Sequence, residues 1–161
     1  MARMVEELDH RVTPMGVLSL RRRRILSIDQ DVLEVLLGDE HLMSSLFTEG
    51  EIALATLALE LAKGEALDVL VGGLGLGYTA AAALDDPRVA SVVVAEALEG
   101  VIDWHRQGLV PLGPRLFGDG RFKAAHQDFF ARVAAPAHDA EPEFDLILLD
   151  IDHSPDALLS P

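Results

Sequence analysis

The chain contains no cysteine, which excludes disulfide bonds, thiolate zinc sites and a cysteine nucleophile. It also has no apolar run of the roughly 20 residues that a transmembrane helix needs. Basic residues are few, 13 Lys and Arg against 27 Asp and Glu, and the net charge of -14 argues against a broad nucleic-acid surface. We therefore expect a soluble cytoplasmic protein that binds neither nucleic acid nor membranes, and its acidity is compatible with a cationic substrate.

The composition provides ample apolar side chain for a packed core. With 161 residues, of which 50% are hydrophobic, the length predicts one domain with a small appendage. The pattern along the chain changes near residue 48. We expect residues 1–48 to form an N-terminal β-hairpin region and residues 49–161 to form an incomplete, Rossmann-like nucleoside-binding domain.

Two β-prone segments, residues 16–20 and 32–37, predict the hairpin, because turn-forming residues lie between them at 27–31. Four arginines, at positions 21 to 24, lie in or beside its first strand. Successive strand residues point to opposite faces, so only half of these side chains can share a face. We interpret the run as charged protection of a solvated edge strand, with pairing to acidic groups of a neighbouring subunit as the alternative.

Residues 49–161 alternate between helical and apolar strand patterns. Thr48 and Glu51 form a capping box for a helix over residues 49–62, which has apolar residues at helical spacing. Strands are predicted at 69–71, 91–95, 122–125 and 144–149, helices at 79–84, 100–106 and 129–133, and a glycine- and proline-rich loop at 108–120. This alternation predicts the α/β class, with a Rossmann-like parallel sheet, flanking helices and right-handed crossovers.

The predicted sheet ends early for this fold class. A complete sheet has about three more strands after the fourth, and only residues 150–161 follow it here. We therefore expect either a fragment, truncated after the fourth strand, or an open sheet edge that another subunit covers. The second case predicts self-association, most simply a homodimer, because an uncovered edge exposes apolar surface and unpaired backbone.

The most informative stretch is Leu67-Asp-Val-Leu-Val-Gly-Gly-Leu-Gly-Leu-Gly-Tyr78, which predicts a strand, a tight turn and a helix start. Glycines let the backbone turn sharply and a ligand approach closely, and the helix N-terminus offers free N–H groups. A dinucleotide fingerprint needs glycine where Tyr78 stands, and no Walker Gly-Lys-Ser/Thr follows. The register Gly73-x-Gly75-x-Gly77 after Gly72 is instead typical of folds that bind S-adenosylmethionine-type nucleosides; close helix-to-strand packing is the alternative.

Acidic residues follow the predicted strands, at the sheet edge where parallel sheets bind ligands. Glu96 comes about 20 residues after the glycine turn, the spacing of an acid that accepts from both ribose hydroxyls; a solvated strand-end acid is the alternative. Asp128 could accept from an adenine amino group, with Phe129 against the ring, or it could cap the next helix. Asp150 begins Asp150-Ile-Asp-His-Ser-Pro155, a candidate acid/base or amine-binding site, in which we interpret His153 as a loop residue.

The order of these motifs resembles the spermidine synthase family of aminopropyltransferases, which has a class I S-adenosylmethionine-dependent methyltransferase-like fold. The resemblance covers nearly the whole chain from about Gly16 and includes the helix through Glu51. Common methyltransferases place an acid two residues before the first glycine of Gly-x-Gly-x-Gly, whereas Val71 stands there in this chain. The matching segments are Leu36-Leu-Gly-Asp-Glu40, Gly72-Gly-Leu-Gly-Leu-Gly77, Val92-Val-Val-Ala-Glu96, Gln127-Asp128-Phe129 and Phe144-Asp-Leu-Ile-Leu-Leu-Asp150.

The resemblance implies a metal-free transferase of polyamine biosynthesis that moves an aminopropyl group from decarboxylated S-adenosylmethionine to a small amine. By position it implies that Glu96 binds the ribose and Asp128 the adenine. It implies that Asp150 holds and deprotonates the attacking amine, and that Glu51 and Asp152 bind that amine. The remaining residues of the implied nucleoside pocket are Gly72, Gly73, Gly75, Gly77 and Phe129.

Three positions depart from the family pattern. Gly75 stands where family members usually have an aspartate that binds the aminopropyl end of the donor. Leu98 replaces the acid that commonly follows the ribose glutamate, and His153 falls at the position of a second aspartate. Two alternatives therefore stay open: a methyltransferase that uses S-adenosylmethionine itself, and a non-catalytic nucleoside-binding or oligomerising module.

Overall fold

The computed structural model describes residues 4–135 and 143–151. The described chain forms two compact units, one up to Thr48 and one from Glu49 to Asp150. Among these residues, no helix is both long enough and apolar enough to cross a membrane.

The first unit is an antiparallel sheet of four strands in the order β1-β2-β3-β4. The predicted hairpin corresponds to β2 and β3, and it is confirmed. The two outer strands were not predicted, because β1 is largely polar and β4 is short and half exposed. The strands are β1 (Val5–Thr13), β2 (Gly16–Ile25), β3 (Gln30–Leu37) and β4 (Glu40–Ser44).

The arginine run lies in a central strand, so the edge-strand interpretation is wrong. β2 pairs with β1 on one side and β3 on the other, and Arg21 stands opposite Glu34 in the register. The Glu34 carboxylate is 2.6 Å from Arg21 Nε and 2.6 Å from an Nη atom of Arg23. On the other face Arg22 pairs with Glu6 at 3.3 Å. These arginines therefore pair with acidic groups of the same chain, whereas the alternative interpretation had them pair with acidic groups of a neighbouring subunit.

The second unit is a parallel sheet of four strands flanked by helices, which confirms the predicted fold class. The strand order is β7-β6-β5-β8, and the buried apolar runs of β5 and β6 form its centre. The elements are α1 (Glu49–Leu61), β5 (Leu67–Gly72), α2 (Tyr78–Asp85), β6 (Val89–Glu96), α3 (Glu99–Arg106), α4 (Gly113–Gly118), β7 (Phe122–His126), α5 (Phe129–Ala134) and β8 (Leu146–Leu149).

The predicted loop at residues 108–120 contains the short helix α4, which corrects that prediction. Pro114 lies in its first turn, where the missing N–H costs no helical hydrogen bond. Gly113 packs against the main-chain carbonyl of His105, so closely that a Cβ would clash. The glycine and proline that suggested a loop therefore serve helix initiation and helix packing.

The buried carboxylate of Glu34 stabilises the first unit through both arginines. Burial raises the pKa of Glu34, but hydrogen bonds from Arg23 and Arg21 outweigh it, so this pKa lies below its ordinary value of 4.5. We expect Glu34→Gln to lower the free energy of unfolding at pH 7 by about 1–3 kcal/mol. A depressed carboxyl pKa stabilises the fold above the unfolded-state pKa, so the deficit should shrink as the pH falls below 4.5.

Glu6→Gln is the matched control, because Glu6 makes an exposed ion pair with Arg22 and should cost at most about 1 kcal/mol. Thermal or denaturant unfolding measures both variants. Equal losses for Glu6→Gln and Glu34→Gln would contradict a special role of the buried carboxylate.

Candidate functional site

The strand order creates a crevice at the carboxyl edge of the parallel sheet. From β5 the chain crosses to β6 on one side, whereas β8 adds on the other side, and ligands of such sheets bind where the order reverses. Gly72 lies between Ala95 and Leu149 in the register. Glu96 and Asp150, each one residue further along, therefore flank the start of the glycine turn, about 10 Å apart by two strand spacings.

The glycine turn, residues 72–77, runs from the end of β5 to the start of α2. Gly73, Gly75 and Gly77 have φ angles of +93°, +48° and +92°, which other residues adopt only with strain. Gly73 N donates to Ala95 O at 2.9 Å and Gly77 N donates to Leu74 O at 2.8 Å. The backbone conformation thus requires glycine in the Gly-x-Gly-x-Gly register.

Packing explains two of the glycines without a ligand. A Cβ on Gly72 would lie 2.7 Å from the Phe129 ring. A Cβ on Gly77 would lie 2.7 Å from Leu116 and 2.9 Å from the His105 ring. The packing alternative therefore accounts for Gly72 and Gly77, and a role of all four glycines in a nucleoside pocket stays a prediction.

Glu96 has a buried carboxylate that holds the turn from the side of β6. Its two oxygens accept backbone N–H groups at 2.8 Å each, from Leu74 in the turn and from Leu98 before α3. Glu96 is 8% exposed, which excludes the solvated strand-end acid. Because a carboxylate accepts about four hydrogen bonds, these two bonds orient it and are compatible with further acceptance from ribose. The ribose role itself stays a prediction.

Asp150 follows β8 on the other side of the turn. Its N–H donates to Gly72 O at 2.8 Å, which extends the β5–β8 ladder by one residue. Its carboxylate Oδ2 lies 2.6 Å from the hydroxyl of Thr79, which is also 3.2 Å from the main-chain carbonyl of Glu51. That hydroxyl has one proton, and the shorter distance assigns it to Asp150.

Helix α2 thus brings the Thr79 hydroxyl to the aspartate, and α1 places the main-chain carbonyl of Glu51 beside that hydroxyl. Burial raises the pKa of Tyr78, and the negative charge of Glu51 raises it further. The sequence analysis did not assign Thr79 to the site, although a threonine directly before the alanine run at 80–83 was a signal for it. The predicted Asp152 and the neighbouring His153 lie outside the described residues.

The segment after β7 contains the third predicted acid. Asp128 caps α5, because its Oδ1 accepts the N–H of Ala131 at 3.0 Å. The structure therefore supports the helix-capping interpretation of Asp128. An additional contact with adenine stays a prediction. Phe129 is buried against Gly72 and stacks edge-on with Phe130 at 5.5 Å between ring centroids. Phe129 therefore packs against the first residue of the glycine turn.

His105 is a further buried group that the sequence did not single out. Its Nε2 lies 2.9 Å from the carbonyl oxygen of Gly75, and the residue is 1% exposed. Burial lowers its pKa below the ordinary value of 6.5, although the hydrogen bond with Gly75 opposes the shift. Among the described residues, no group of three or more His, Cys, Asp and Glu side chains could hold a metal ion.

Solved structures share this fold. The chain is similar to a spermidine synthase from Thermotoga maritima, with a TM-score of 0.72 at 17% identity over 92% of this chain. It is equally similar to a spermidine synthase in complex with the transition state analogue AdoDATO, with a TM-score of 0.71 at 17% identity. The chain spans about half of these proteins, 47% and 46% of their lengths. This similarity confirms the fold that the motifs predicted.

At the level of sequence, no protein-family model matches the chain, and no curated protein matches it.

The contact of Gly72 with Phe129 gives a direct test of the packing role. We expect Gly72→Ala to lower the free energy of unfolding by about 1–3 kcal/mol, because the new methyl would lie 2.7 Å from the buried Phe129 ring. Phe129→Leu in the same chain should recover part of that loss. Gly50→Ala in α1 is the control, since a Cβ there meets no described atom within 4 Å. Additive losses from Gly72→Ala and Phe129→Leu would contradict the clash.

Proposed function

We propose that this chain is a spermidine synthase-like transferase, which moves an aminopropyl group from decarboxylated S-adenosylmethionine to a small amine. The observation that carries the proposal is the pair of carboxylates flanking the glycine turn: Glu96, fixed by two backbone N–H groups, and Asp150, oriented by Thr79. The Glu96 carboxylate suits the hydroxyls of a ribose, and the Asp150 carboxylate suits an amine. The AdoDATO complex of a protein with the same fold supports a co-substrate of the S-adenosylmethionine type.

In the proposed reaction the nucleoside lies along the carboxyl edge of the sheet, with its ribose hydroxyls on Glu96 and its adenine near Asp128. The amine binds between Asp150 and Glu51, which suits a cation, as does the net charge of -14. Its nitrogen attacks the carbon next to the sulfonium in line. The carbon–sulfur bond breaks, its electron pair neutralises the sulfur, and the released methylthioadenosine is a thioether.

The proton of the attacking nitrogen passes to Asp150 and then to solvent. A sulfonium is already a good leaving group, so the protein mainly positions the amine and removes this proton. Thr79 supports that role, because its hydroxyl donates to Asp150 Oδ2 and so orients the carboxylate, a group that accepts about four hydrogen bonds.

A methyltransferase is the second candidate, and Gly75 favours it. Glycine supplies no carboxylate for the ammonium end of an aminopropyl donor, and the Gly75 carbonyl accepts from His105 inside the fold. A methyl donor does not need a carboxylate at that position. A non-catalytic nucleoside-binding module is the third outcome.

Mass spectrometry with putrescine and each donor separates the candidates. We expect decarboxylated S-adenosylmethionine to give methylthioadenosine and an aminopropylated amine in equal amounts. Transfer of a methyl group from S-adenosylmethionine would replace the first proposal with the second. If neither donor nor methylthioadenosine binds at millimolar concentration, both enzyme proposals fail.

The role of Asp150 is tested by Asp150→Asn, which keeps the size of the side chain and removes its basicity. We expect transfer to slow by roughly 100-fold or more, with methylthioadenosine affinity nearly unchanged. The matched control is Asp145→Asn just before the opposite end of β8, where the carboxylate accepts the Asp68 N–H at 2.8 Å. Equal loss of transfer and affinity in Asp150→Asn would show that Asp150 binds the nucleoside instead.

A further inference from the structure

His105, in the last turn of α3, touches the glycine turn from inside the protein. Its Nε2 is 2.9 Å from Gly75 O, and its Cε1 would lie 2.9 Å from a Cβ on Gly77. On its other side Gly113 of α4 packs on the His105 backbone. His105 is 1% exposed, so its side chain is buried where it meets the turn.

The contact with Gly75 assigns the tautomer of the ring. A carbonyl oxygen only accepts hydrogen bonds, so Nε2 must carry the proton. Burial disfavours the charged form, and Nδ1 then has a lone pair and no proton. Nδ1 is buried and has no hydrogen-bond partner among residues 4–135 and 143–151. Protonation there would add a buried donor and a charge, so the neutral ring suits the site.

One chain segment holds the turn at two successive residues. The carboxylate of Glu96 accepts the N–H of Leu74, and the ring of His105 donates to the carbonyl of Gly75. Both side chains come from the β6–α3 segment, which packs on the turn as a unit. Because a peptide unit is planar, fixing the Gly75 carbonyl fixes the orientation of the whole Gly75–Leu76 peptide.

We propose that His105 is a positioning residue for the nucleoside pocket, which holds Gly75 through the Nε2–H···O bond and fixes the shape of the glycine turn. This inference rests on the proposed function, because it assigns a purpose to the turn as a nucleoside pocket. Glycine has more backbone freedom than other residues, so a turn with Gly73, Gly75 and Gly77 needs outside contacts to keep one conformation. A preformed turn avoids the ordering cost when the ligand binds.

Three variants of the full chain test the proposal, with 5′-methylthioadenosine as the probe in calorimetric titrations. His105→Leu keeps an apolar volume without a donor, and His105→Gln keeps a side-chain N–H donor. We expect His105→Leu to weaken binding about tenfold and His105→Gln to stay within about threefold of the unsubstituted chain. Ile102→Ala, a core change in the same helix, controls for lost stability and should leave the affinity unchanged.

Equal affinities of His105→Leu and the unsubstituted chain would overturn the role of His105 while leaving the proposed function intact. Equal weakening in His105→Gln and His105→Leu would also overturn it, because a merely structural ring would give that result. If the unsubstituted chain does not bind the probe at all, the proposed function fails and this proposal fails with it.

A spectroscopic measurement on the unsubstituted chain does not depend on how the variants fold. The ¹⁵N shifts of His105 should report a neutral ring with the proton on Nε2, and probe binding should slow exchange of that proton. A proton on Nδ1, or an exchange rate that the probe leaves unchanged, would overturn the proposal.

Discussion

The buried carboxylate of Glu96 is the interaction on which the candidate site depends. It stands at the end of β6 and accepts one N–H from the glycine turn and one from the residue before α3. A buried carboxylate without such donors would be strongly unfavourable, so the turn and the helix start must both adopt their observed positions. The same two contacts that satisfy the charge also fix its direction at the sheet edge. The two hydrogen bonds to Glu96 therefore both stabilise the glycine turn and orient the carboxylate for the proposed contact with ribose.

The parallel sheet converts sequence spacing into spatial proximity. Glu96 and Asp150 are far apart along the chain, yet each follows a strand adjacent to β5 and ends beside the glycine turn. The strand order reverses at β5, and ligands of such sheets bind in the crevice at that point. The proposed reaction needs this arrangement, since the nucleoside and the amine must approach one carbon from opposite sides.

The parallel strands were predictable because strands buried on both faces read as continuous apolar runs, as in β5 and β6. The antiparallel outer strands β1 and β4 were not, because they lack a clear alternation of apolar and polar residues. The arginine run was misinterpreted since its partner, Glu34, is fixed by the pairing of β2 with β3 and not by local sequence. Helix α4 was missed because glycine and proline there serve packing and initiation, which look like loop signals in sequence.

The positions of Glu96 and Asp150 at the sheet edge followed from strand ends and spacing alone. Thr79 and His105 could not be found that way, because each acts through a contact between elements distant in the chain. The sequence also does not indicate a hydrogen-bond partner for the Gly75 carbonyl. The fold shows that this carbonyl faces His105 in the protein interior.

Mapping backbone amide shifts of the ¹⁵N-labelled chain during a methylthioadenosine titration tests whether the carboxyl edge of the parallel sheet binds a nucleoside. We expect saturable shifts concentrated at residues 72–77, Glu96, Leu98, Asp128 and Asp150. Shifts that leave the glycine turn unaffected, or no saturable shifts at millimolar ligand, would contradict a nucleoside pocket at this edge of the sheet.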